Sequence, residues 1–312
     1  MTAALQPRPG LAPQLALFNV LTKPLAWLPL GWGLALGAAG GRLAFRLLSR
    51  RRRVALANLE MARDTGFLPP DLPIRATARA VFANHGRGVW EILRAYHRGL
   101  APFLSDCRIA EGGDHLERAL AESRRSGQGL VLLTGHLGNW EIMCHFIAAF
   151  FGFKLNIVGR QTGQPLTDAL ISRLRTMNGN CFLGKDGAAR DMLAVLKSGG
   201  MLGTLIDQAT LTDAPKASAL VPFMGREATF NLGPLRLARR AGAAIILVLA
   251  RREGRAHFAH LFPPLPPEPE RPEAEDLLAK AGRINAWLGE FIRRYPDQWL
   301  WGHRRWKTRD KP

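Results

Sequence analysis

The stretch Val131–Ile142 holds the residues whose types and spacing best suit catalysis. An apolar run that ends near Thr134 predicts a buried strand, and His136 follows at its carboxyl edge, where open α/β sheets bind their ligands. Asn139 is a favourable helix N-cap, which places Glu141 in the first turn of the next helix. A carboxylate at this spacing can bind one imidazole nitrogen and leave the other free to accept a proton. We therefore predict that His136 and Glu141 form a general-base pair.

Two other interpretations of this pair stay open on spacing alone. His136 is also compatible with an ordinary loop histidine beside a surface glutamate, and His145 could join the pair as a third metal ligand. The metal interpretation is the weaker one, because H-E-x-x-H is absent and no Asp or Cys completes a ligand set nearby. The G-x-S-x-G pattern of a serine nucleophile is absent as well. A base at His136 would therefore have to activate a hydroxyl group of a substrate.

The elements that must position this pair alternate between strands and helices. Apolar runs bounded by glycine or polar residues predict buried strands at Gly129–Thr134, Lys154–Val158, Met201–Ile206 and Ala243–Leu249, with a weaker one at His257–Phe262. Helical spacing is found at Pro165–Met177, Ala188–Lys197, Leu232–Ala241 and Ala274–Arg294. This alternation predicts an α/β fold, with a mostly parallel central sheet flanked by helices and a largely helical N-terminal part.

Composition and charge narrow the class of partner. The 312 residues are 47% hydrophobic, which excludes a disordered or collagen-like chain. Forty-three Lys and Arg against 25 Asp and Glu give 43 − 25 = +18, so we expect polyanionic partners: nucleic acid, an anionic membrane, an acidic protein or a phosphorylated substrate. Three cysteines without a C-x-x-C pair argue against a disulfide framework.

The N-terminal segment is the candidate membrane anchor. Pro24–Gly41 is free of charged residues over 18 positions, which is at the short end of what spans a bilayer, and an arginine-rich cluster follows between Arg42 and Arg53. We therefore predict an anchor over residues 1–48, as a single transmembrane or interfacial helix, and a catalytic domain over residues 49–312. The positive-inside rule places that domain in the cytoplasm. A buried helix of a soluble protein remains an alternative, because Pro29 and five glycines weaken the apolar helix.

Six ordered blocks give the chain a family resemblance. GHLGNWEI, around His136, resembles the H-x-x-x-x-[DE] signature of the lysophospholipid acyltransferase superfamily, and more narrowly the late acyltransferases of lipid A biosynthesis. The other blocks are RRRVALANLE (Arg51–Glu60), IVGR ending at Arg160, Lys185-Asp-Gly, LIDQ with VPFMGREAT (Val221–Thr229), and YPDQWLWGHRRWKTR (Tyr295–Arg309). These matches run from about residue 20 to the C-terminus.

The resemblance implies a reaction and roles for particular residues. The hydroxyl of a lipid A precursor would lose its proton to His136, oriented by Glu141, and then attack an acyl thioester carried by acyl carrier protein. No metal or cofactor is implied. Candidates for stabilising the oxyanion or binding substrate are Arg160, Asn139, Asp207, Gln208 and Arg226.

The C-terminal block would contact the membrane in this interpretation. Aromatic rings among cations are typical of a bilayer interface, which suggests that lipid headgroups contact Trp301, Arg304, Arg305, Trp306 and Lys307. Packing of the tryptophans on the core is the alternative. The implied location is the bacterial inner membrane, with the catalytic domain on the cytoplasmic side.

The sequence differs from the superfamily motifs at two places, and two other functions remain as alternatives. The F-P-E-G-x-[ST] block of glycerol-phosphate acyltransferases is absent and Glu replaces Asp in the signature, which favours the lipid A branch. The first rival is the same chemistry on another lipid, such as a mannosylated phosphoinositide or an aminolipid. The second is a non-enzymatic protein that binds nucleic acid or anionic lipid. No nucleic-acid-binding motif is recognisable, so we expect no nucleic-acid partner.

Overall fold

The computed structural model describes residues 10–159, 162–184, 189–209 and 217–306. The helices are α1 Leu11–Ala26, α2 Leu30–Leu47, α3 Ser49–Asp64, α4 Ile74–Arg98, α5 Ala101–Leu104, α6 Gly113–Ser126, α7 Trp140–Phe150, α8 Pro165–Arg175, α9 Ala189–Lys197, α10 Gly233–Ala241 and α11 Glu273–Arg294. The strands are β1 Cys107–Glu111, β2 Leu130–Thr134, β3 Leu155–Gly159, β4 Cys181–Gly184, β5 Met201–Leu205, β6 Ser218–Phe223, β7 Arg226–Asn231, β8 Ala244–Glu253 and β9 Ala256–Leu261.

Seven strands form one sheet in the order β1-β9-β8-β2-β5-β3-β4, and β6 with β7 forms a separate antiparallel hairpin. Within the large sheet all neighbouring pairs are parallel except β8 with β9. The predicted α/β fold with a mostly parallel, helix-flanked sheet is confirmed, and each of the five predicted strands overlaps an observed one.

Alternation along β2 divides the core into two layers. Leu130 and Leu132 lie in one apolar cluster with Ile142 and other residues of α7. Val131 and Leu133 lie in the other cluster, with residues of α10 and α11. A central strand with four consecutive buried apolar residues, as in β2, is what a sheet covered on both faces requires. Because β2 is fixed on both faces, the loop after it has a well-defined starting point.

The register of β2 against β5 places two loops side by side. Leu130 pairs with Met201, and the pairing continues to Thr134 with Leu205, so both strands end at the same level of the sheet. The residues that follow the two strands therefore meet at this carboxyl edge, where ligands of open α/β sheets bind.

The predicted single N-terminal helix is wrong: the apolar segment forms two helices, α1 and α2. The break falls at Trp27–Pro29, because Pro29 has no backbone N–H for an intrahelical hydrogen bond and stands at the N-cap of α2. Both helices pack on α4, where the Trp90 indole nitrogen donates to the Leu25 carbonyl oxygen at 3.1 Å. A Cβ at Gly37 would lie 2.6 Å from the Gly86 carbonyl oxygen, so small residues are needed for this close contact.

Searched over its described ranges, the chain has no helix that combines the length and apolarity needed to cross a membrane. The division at residue 48 stays a prediction.

Candidate active site

The catalytic candidate His136 is paired with Asp207 at the carboxyl edge of the sheet. The imidazole Nδ1 lies 2.7 Å from Asp207 Oδ1, and the His136 backbone N–H donates to Asp207 Oδ2 at 2.7 Å. His136 is the second residue after β2 and Asp207 is the second after β5, so the strand register brings them together. Their side chains are 13% and 1% exposed, respectively. An imidazole reachable from solvent and backed by a buried carboxylate is the arrangement of a general base.

The carboxylate of Asp207 is held in its ionised form. Burial by itself would raise the pKa of Asp207, but the charge of His136 and hydrogen bonds from His136 and Trp299 lower it to about 2. An ionised carboxylate at Nδ1 fixes the tautomer with the proton on Nδ1, so that Nε2 is the proton acceptor.

The predicted partner of His136, Glu141, is paired elsewhere. Glu141 lies in the first turn of α7, as predicted, but its carboxylate accepts two hydrogen bonds from Arg175 at the end of α8, at 2.6 and 3.1 Å. Burial would raise the pKa of Glu141, whereas the charge and hydrogen bonds of Arg175 lower it. The hydrogen-bonded carboxylate of His136 is therefore Asp207, and the prediction that Glu141 orients the imidazole is wrong.

Gln208 and Trp140 complete the surroundings of the imidazole. The side-chain nitrogen of Gln208 lies 3.2 Å from His136 Nε2, the atom that would accept a proton. The Trp140 ring packs edge-on against the imidazole, with ring centroids 4.7 Å apart. Gln208 thus marks the position at which a hydroxyl group could bind to Nε2.

A C-terminal segment, residues 298–300, locks the His136 loop in place. Trp299 forms an isolated antiparallel bridge with Leu137, and its indole nitrogen donates to Asp207 Oδ2 at 2.7 Å. The Leu300 N–H donates to the His136 carbonyl oxygen at 3.1 Å. One tripeptide therefore holds both the backbone of the base and the carboxylate behind it.

The side chain of Asn139 joins the start of α7 to a buried glutamate. Its Oδ1 accepts from the Ile142 N–H, which confirms it as the N-cap of α7, and its Nδ2 donates to the buried Glu91 at 2.7 Å. Both amide atoms are engaged and the residue is 2% exposed, so the side chain holds the loop, and the role expected of Asn139 at the oxyanion, through backbone N–H groups at the helix start, stays a prediction.

Glu91 is the centre of a buried polar cluster behind the loop. It accepts from Arg252 and Asn139, and His257 Nε2 lies 3.2 Å away. Burial would raise the pKa of Glu91, but the hydrogen bonds from His257 and Arg252, with the charge of Arg252, lower it to about 2. The cluster joins α4, the sheet and the start of α7.

Two cavities adjoin at the site. The first, called here the basic cavity, has a volume of about 640 Å³, and His136 and Gln208 line it together with Arg50, Arg51, Arg175, His303 and Arg304. The second, called here the α7 cavity, has a volume of about 60 Å³ between α7 and the sheet, and its lining includes Met143, Ile147, Leu155 and Val248. Thr204, Leu205 and Arg175 line both, so an apolar site and a cationic site meet at the Glu141–Arg175 pair.

The C-terminal aromatic and basic residues divide between core and surface. Trp301 and Arg305 are fully buried, and Arg305 donates to the Thr229 carbonyl oxygen, so their predicted contact with headgroups is wrong. Trp306 is half-buried against Phe223, as the alternative of core packing expected. Arg304 is exposed and lines the basic cavity.

Of three further predicted residues, one lies away from the site and two lie outside the described residues. Arg226 is exposed at the start of β7, five residues before Asn231, which lines the basic cavity. At about 3.4 Å per residue this is roughly 17 Å along the strand, so the structure does not bring Arg226 to His136. Arg160 and Lys307 lie outside the described residues, as does the Lys185 block.

Sequence reasoning did not single out Arg175 or Glu91, and it assigned Trp299 to the C-terminal aromatic block and not to the active site. Arg175 is the last residue of the amphipathic helix α8, and Glu91 falls in the long helix α4, with no local pattern that marks either one. Within the described ranges no group of three or more His, Cys, Asp or Glu side chains is placed to hold a metal ion.

Comparisons of the sequence with known proteins found one matching family model and several relatives. The family model for the bacterial lipid A biosynthesis acyltransferases matches residues 10–308. The chain is 28% identical to the lipid A biosynthesis lauroyltransferase of Escherichia coli over 291 residues, which cover 88% of this chain and 85% of the relative. It is also 28% identical to the lipid A biosynthesis palmitoleoyltransferase of that organism, over 88% of this chain and 84% of the relative. A phosphatidylinositol mannoside acyltransferase of Mycobacterium tuberculosis is 27% identical over 66% of this chain and 63% of the relative.

Proposed function

Because this chain belongs to the bacterial lipid A biosynthesis acyltransferase family, we propose that it transfers a fatty acyl group from acyl carrier protein to a hydroxyl of a phosphorylated lipid A precursor. The chain is an O-acyltransferase; the donor, the acceptor and the catalytic residues are the proposal. The observation that carries it is the His136–Asp207 pair, which opens into a cationic cavity where an apolar one begins.

The proposed reaction begins with the acceptor hydroxyl at His136 Nε2, in the position now held by the Gln208 amide. As the hydroxyl oxygen attacks the thioester carbonyl carbon, its proton moves to Nε2 and Asp207 stabilises the imidazolium. The tetrahedral intermediate then collapses, the carbon–sulfur bond breaks, and the imidazolium returns the proton to the thiolate. The products are an ester and the free thiol of the carrier, and no cofactor takes part.

Arg175 is a residue that we assign to the oxyanion in addition to Arg160, whose role stays a prediction. It lines both cavities, so its guanidinium stands where a thioester would pass from the apolar site to the base. Glu141 holds it with two hydrogen bonds and is therefore a positioning residue. A fixed cation at a developing negative charge is the largest single contribution that many acyl-transfer sites make.

The two cavities suit the two substrates of the proposed reaction, the acyl donor and the acceptor lipid. The α7 cavity, at about 60 Å³, offers an apolar lining to the first few carbons of the donor's acyl chain, next to the thioester. Arg50, Arg51 and Arg304 in the basic cavity suit the phosphates of the acceptor. The overall charge of +18 favours docking of an acidic carrier protein and of an anionic membrane.

The proposed location is the cytoplasmic face of the bacterial inner membrane, with the exposed apolar side of α1 and α2 in contact with lipid. Exposed side chains on this side include Leu17, Val20, Leu21, Trp27 and Trp32. This corresponds to the interfacial form of the anchor, in which a helix lies along the bilayer surface.

The test is a transfer assay in detergent with acyl carrier protein that bears a radiolabelled fatty acyl group and a phosphorylated, tetra-acylated lipid A precursor. We expect labelled lipid from the wild type, none from His136→Ala, and normal amounts from the control His115→Ala on the surface helix α6. Equal product from wild type and His136→Ala would overturn the assignment of the base.

A second acceptor is favoured by one observation, the similarity to phosphatidylinositol mannoside acyltransferases. The same assay with a mannosylated phosphoinositide separates the two. Product with that lipid and none with the lipid A precursor would move the proposal to the second acceptor while leaving the His136 chemistry in place.

A further inference from the structure

A third cavity, called here the α2–α4 groove, runs between two N-terminal helices and has a volume of about 870 Å³. Its walls are apolar, with Leu36 and Ala44 from α2 and Val81 and Val89 from α4. It exists because α2 approaches α4 very closely through glycines: a Cβ at Gly41 would lie 2.0 Å from the Phe82 carbonyl oxygen. Gly37, Gly40, Gly41 and Gly86 all line the groove, and the absence of side chains at these positions keeps it open.

The inner end of the groove reaches the catalytic centre. Arg51, Gln208 and His303 line both the groove and the basic cavity. Gln208 is the residue whose amide lies 3.2 Å from His136 Nε2. A molecule in the groove would therefore end at the cations and at the side of the imidazole that accepts the proton.

The outer part of the groove is continuous with exposed apolar surface. Its lining includes Leu36, Leu48 and Val89, which are about half exposed or more, and Trp32 on α2 is 76% exposed. The α7 cavity differs in this respect, because its apolar lining residues, such as Leu155 and Ile147, are buried. The groove is thus the apolar site that a chain could enter without leaving a lipid phase.

We infer that the α2–α4 groove binds an acyl chain of the acceptor lipid, with the phosphorylated headgroup on Arg50, Arg51 and Arg304. This rests on the proposed function, in which two substrates each carry apolar chains. A donor chain delivered by a water-soluble carrier needs a buried apolar site, and the α7 cavity, which is buried beside the base and at about 60 Å³ holds the first few carbons of a chain, is the start of one. Acceptor chains enter from a bilayer, and an open groove that leads from apolar surface to cations has the matching order of apolar and charged parts.

Gly40 provides a substitution that fills the groove without disturbing the fold. It lines the groove, it is exposed, and no atom lies within 4 Å of a Cβ built on it. Gly40→Trp therefore places a large ring in the channel, and it removes a glycine from a helix interior, which does not weaken the helix. The matched control is Gly31→Trp on the first turn of α2. A Cβ on Gly31 also has no neighbour within 4 Å, but Gly31 does not line the groove.

The kinetic test compares these variants in the transfer assay. For Gly40→Trp we expect the KM for the tetra-acylated acceptor to rise at least tenfold, with the KM for the acyl donor and the preferred donor chain length unchanged. Gly31→Trp and Gly40→Ala should behave like the wild type. A change in donor KM or donor chain length in Gly40→Trp would overturn the inference and place the donor chain in the groove.

A binding test keeps the inference separate from the proposed function. A tetra-acylated lipid A precursor with a diazirine at the end of one chain is bound in detergent and photolysed, and adducts are mapped by mass spectrometry. We expect adducts within residues 36–48 and 81–93, lost in Gly40→Trp and kept in Gly31→Trp. Adducts here without any turnover would support the groove while refuting the proposed acceptor reaction. Turnover with adducts only at other helices would refute the groove.

Discussion

At the scale of single residues, two carboxylates of the site have distinct partners and therefore distinct roles. Asp207 binds the imidazole Nδ1 of His136, whereas Glu141 binds the guanidinium of Arg175. Asp207→Asn should lower kcat by about 10³–10⁴-fold, because an amide cannot stabilise the imidazolium or enforce its tautomer. Steady-state kinetics at saturating donor and acceptor measure this effect.

Glu141→Gln serves as the comparison for that substitution. It removes the charge that holds Arg175 but leaves the hydrogen bond between His136 and Asp207 intact. We expect a smaller loss of kcat than for Asp207→Asn, with the pH dependence of kcat keeping its wild-type shape. The reverse order of the two effects would show that Glu141, and not Asp207, supports the base.

The sequence is sufficient to single out both His136 and Asp207, but not to pair them: the expected role of Asp207 at the oxyanion or the substrate is wrong, because its carboxylate binds the imidazole. Spacing favours Glu141, which is five residues from His136, whereas Asp207 is 71 residues further along the chain. The signal that pairs the two is non-local: His136 and Asp207 each stand two positions after strands whose last residues, Thr134 and Leu205, are paired. Such a register is fixed by packing across the sheet, which a short sequence window does not contain.

At the scale of elements, the C-terminal segment 298–300 acts on the reaction through the loop that it holds. Trp299→Phe keeps a ring in the buried site but removes the hydrogen bond to Asp207 Oδ2. A hydrogen bond to a charged group contributes about 1.5–3 kcal/mol, so we expect kcat to fall roughly 10–100-fold with both KM values unchanged.

Trp301→Phe is the matched control in the same segment. Trp301 is equally buried, but its indole donates to the Pro296 carbonyl oxygen at 2.7 Å. Both variants should lower the melting temperature similarly, and Trp299→Phe alone should lower kcat. An equal loss of kcat in both would mean that Trp299 acts only by stabilising the fold.

The elements that the sequence predicted poorly are those with weak or interrupted patterns. The β6–β7 hairpin is not predicted from the sequence, because Pro222 interrupts its first strand. Its turn depends on Met224 and Gly225, both with positive φ (53° and 76°). Such a turn favours glycine but has no other strict requirement. The sequence predicts one N-terminal helix because the mean hydropathy of the segment is not sensitive to the break at Pro29. The strongly apolar strands were correct, since burial on both faces demands their composition.

At the scale of the whole molecule, the Glu91 cluster links the N-terminal helices to the sheet and to the active-site loop. Because the pKa of Glu91 is lowered from 4.5 to about 2, its contribution to stability is fully present above pH 4.5 and is lost as the pH falls through 2. Asp207 acts in the same direction, from 3.8 to about 2. We expect the melting temperature in detergent to fall as the pH is lowered from about 5 to 2.

Glu91→Gln tests this link at neutral pH. The substitution leaves the Arg252 charge buried without its carboxylate, which costs about 3–5 kcal/mol, so the melting temperature at pH 7 should drop by several degrees. The variant should also show a smaller decline between pH 5 and pH 2. The exposed Glu117→Gln should match the wild type, and a wild-type acid profile in Glu91→Gln would contradict the assignment.

The arrangement of apolar and charged surface also predicts how the molecule approaches lipid. Trp32 and Leu21 are 76% and 62% exposed on α2 and α1, whereas Leu220, at 56%, lies on the separate β6–β7 hairpin. Complete burial of a large apolar side chain contributes about 1.5–3 kcal/mol, so Trp32→Ser with Leu21→Ser should weaken binding to vesicles at least tenfold. Sedimentation with vesicles of phosphatidylethanolamine and phosphatidylglycerol measures the partition coefficient, with Leu220→Ser as the control. Equal binding by the double variant and the control would refute the contact of α1 and α2 with lipid. Loss of binding in Leu220→Ser alone would move the contact to the hairpin.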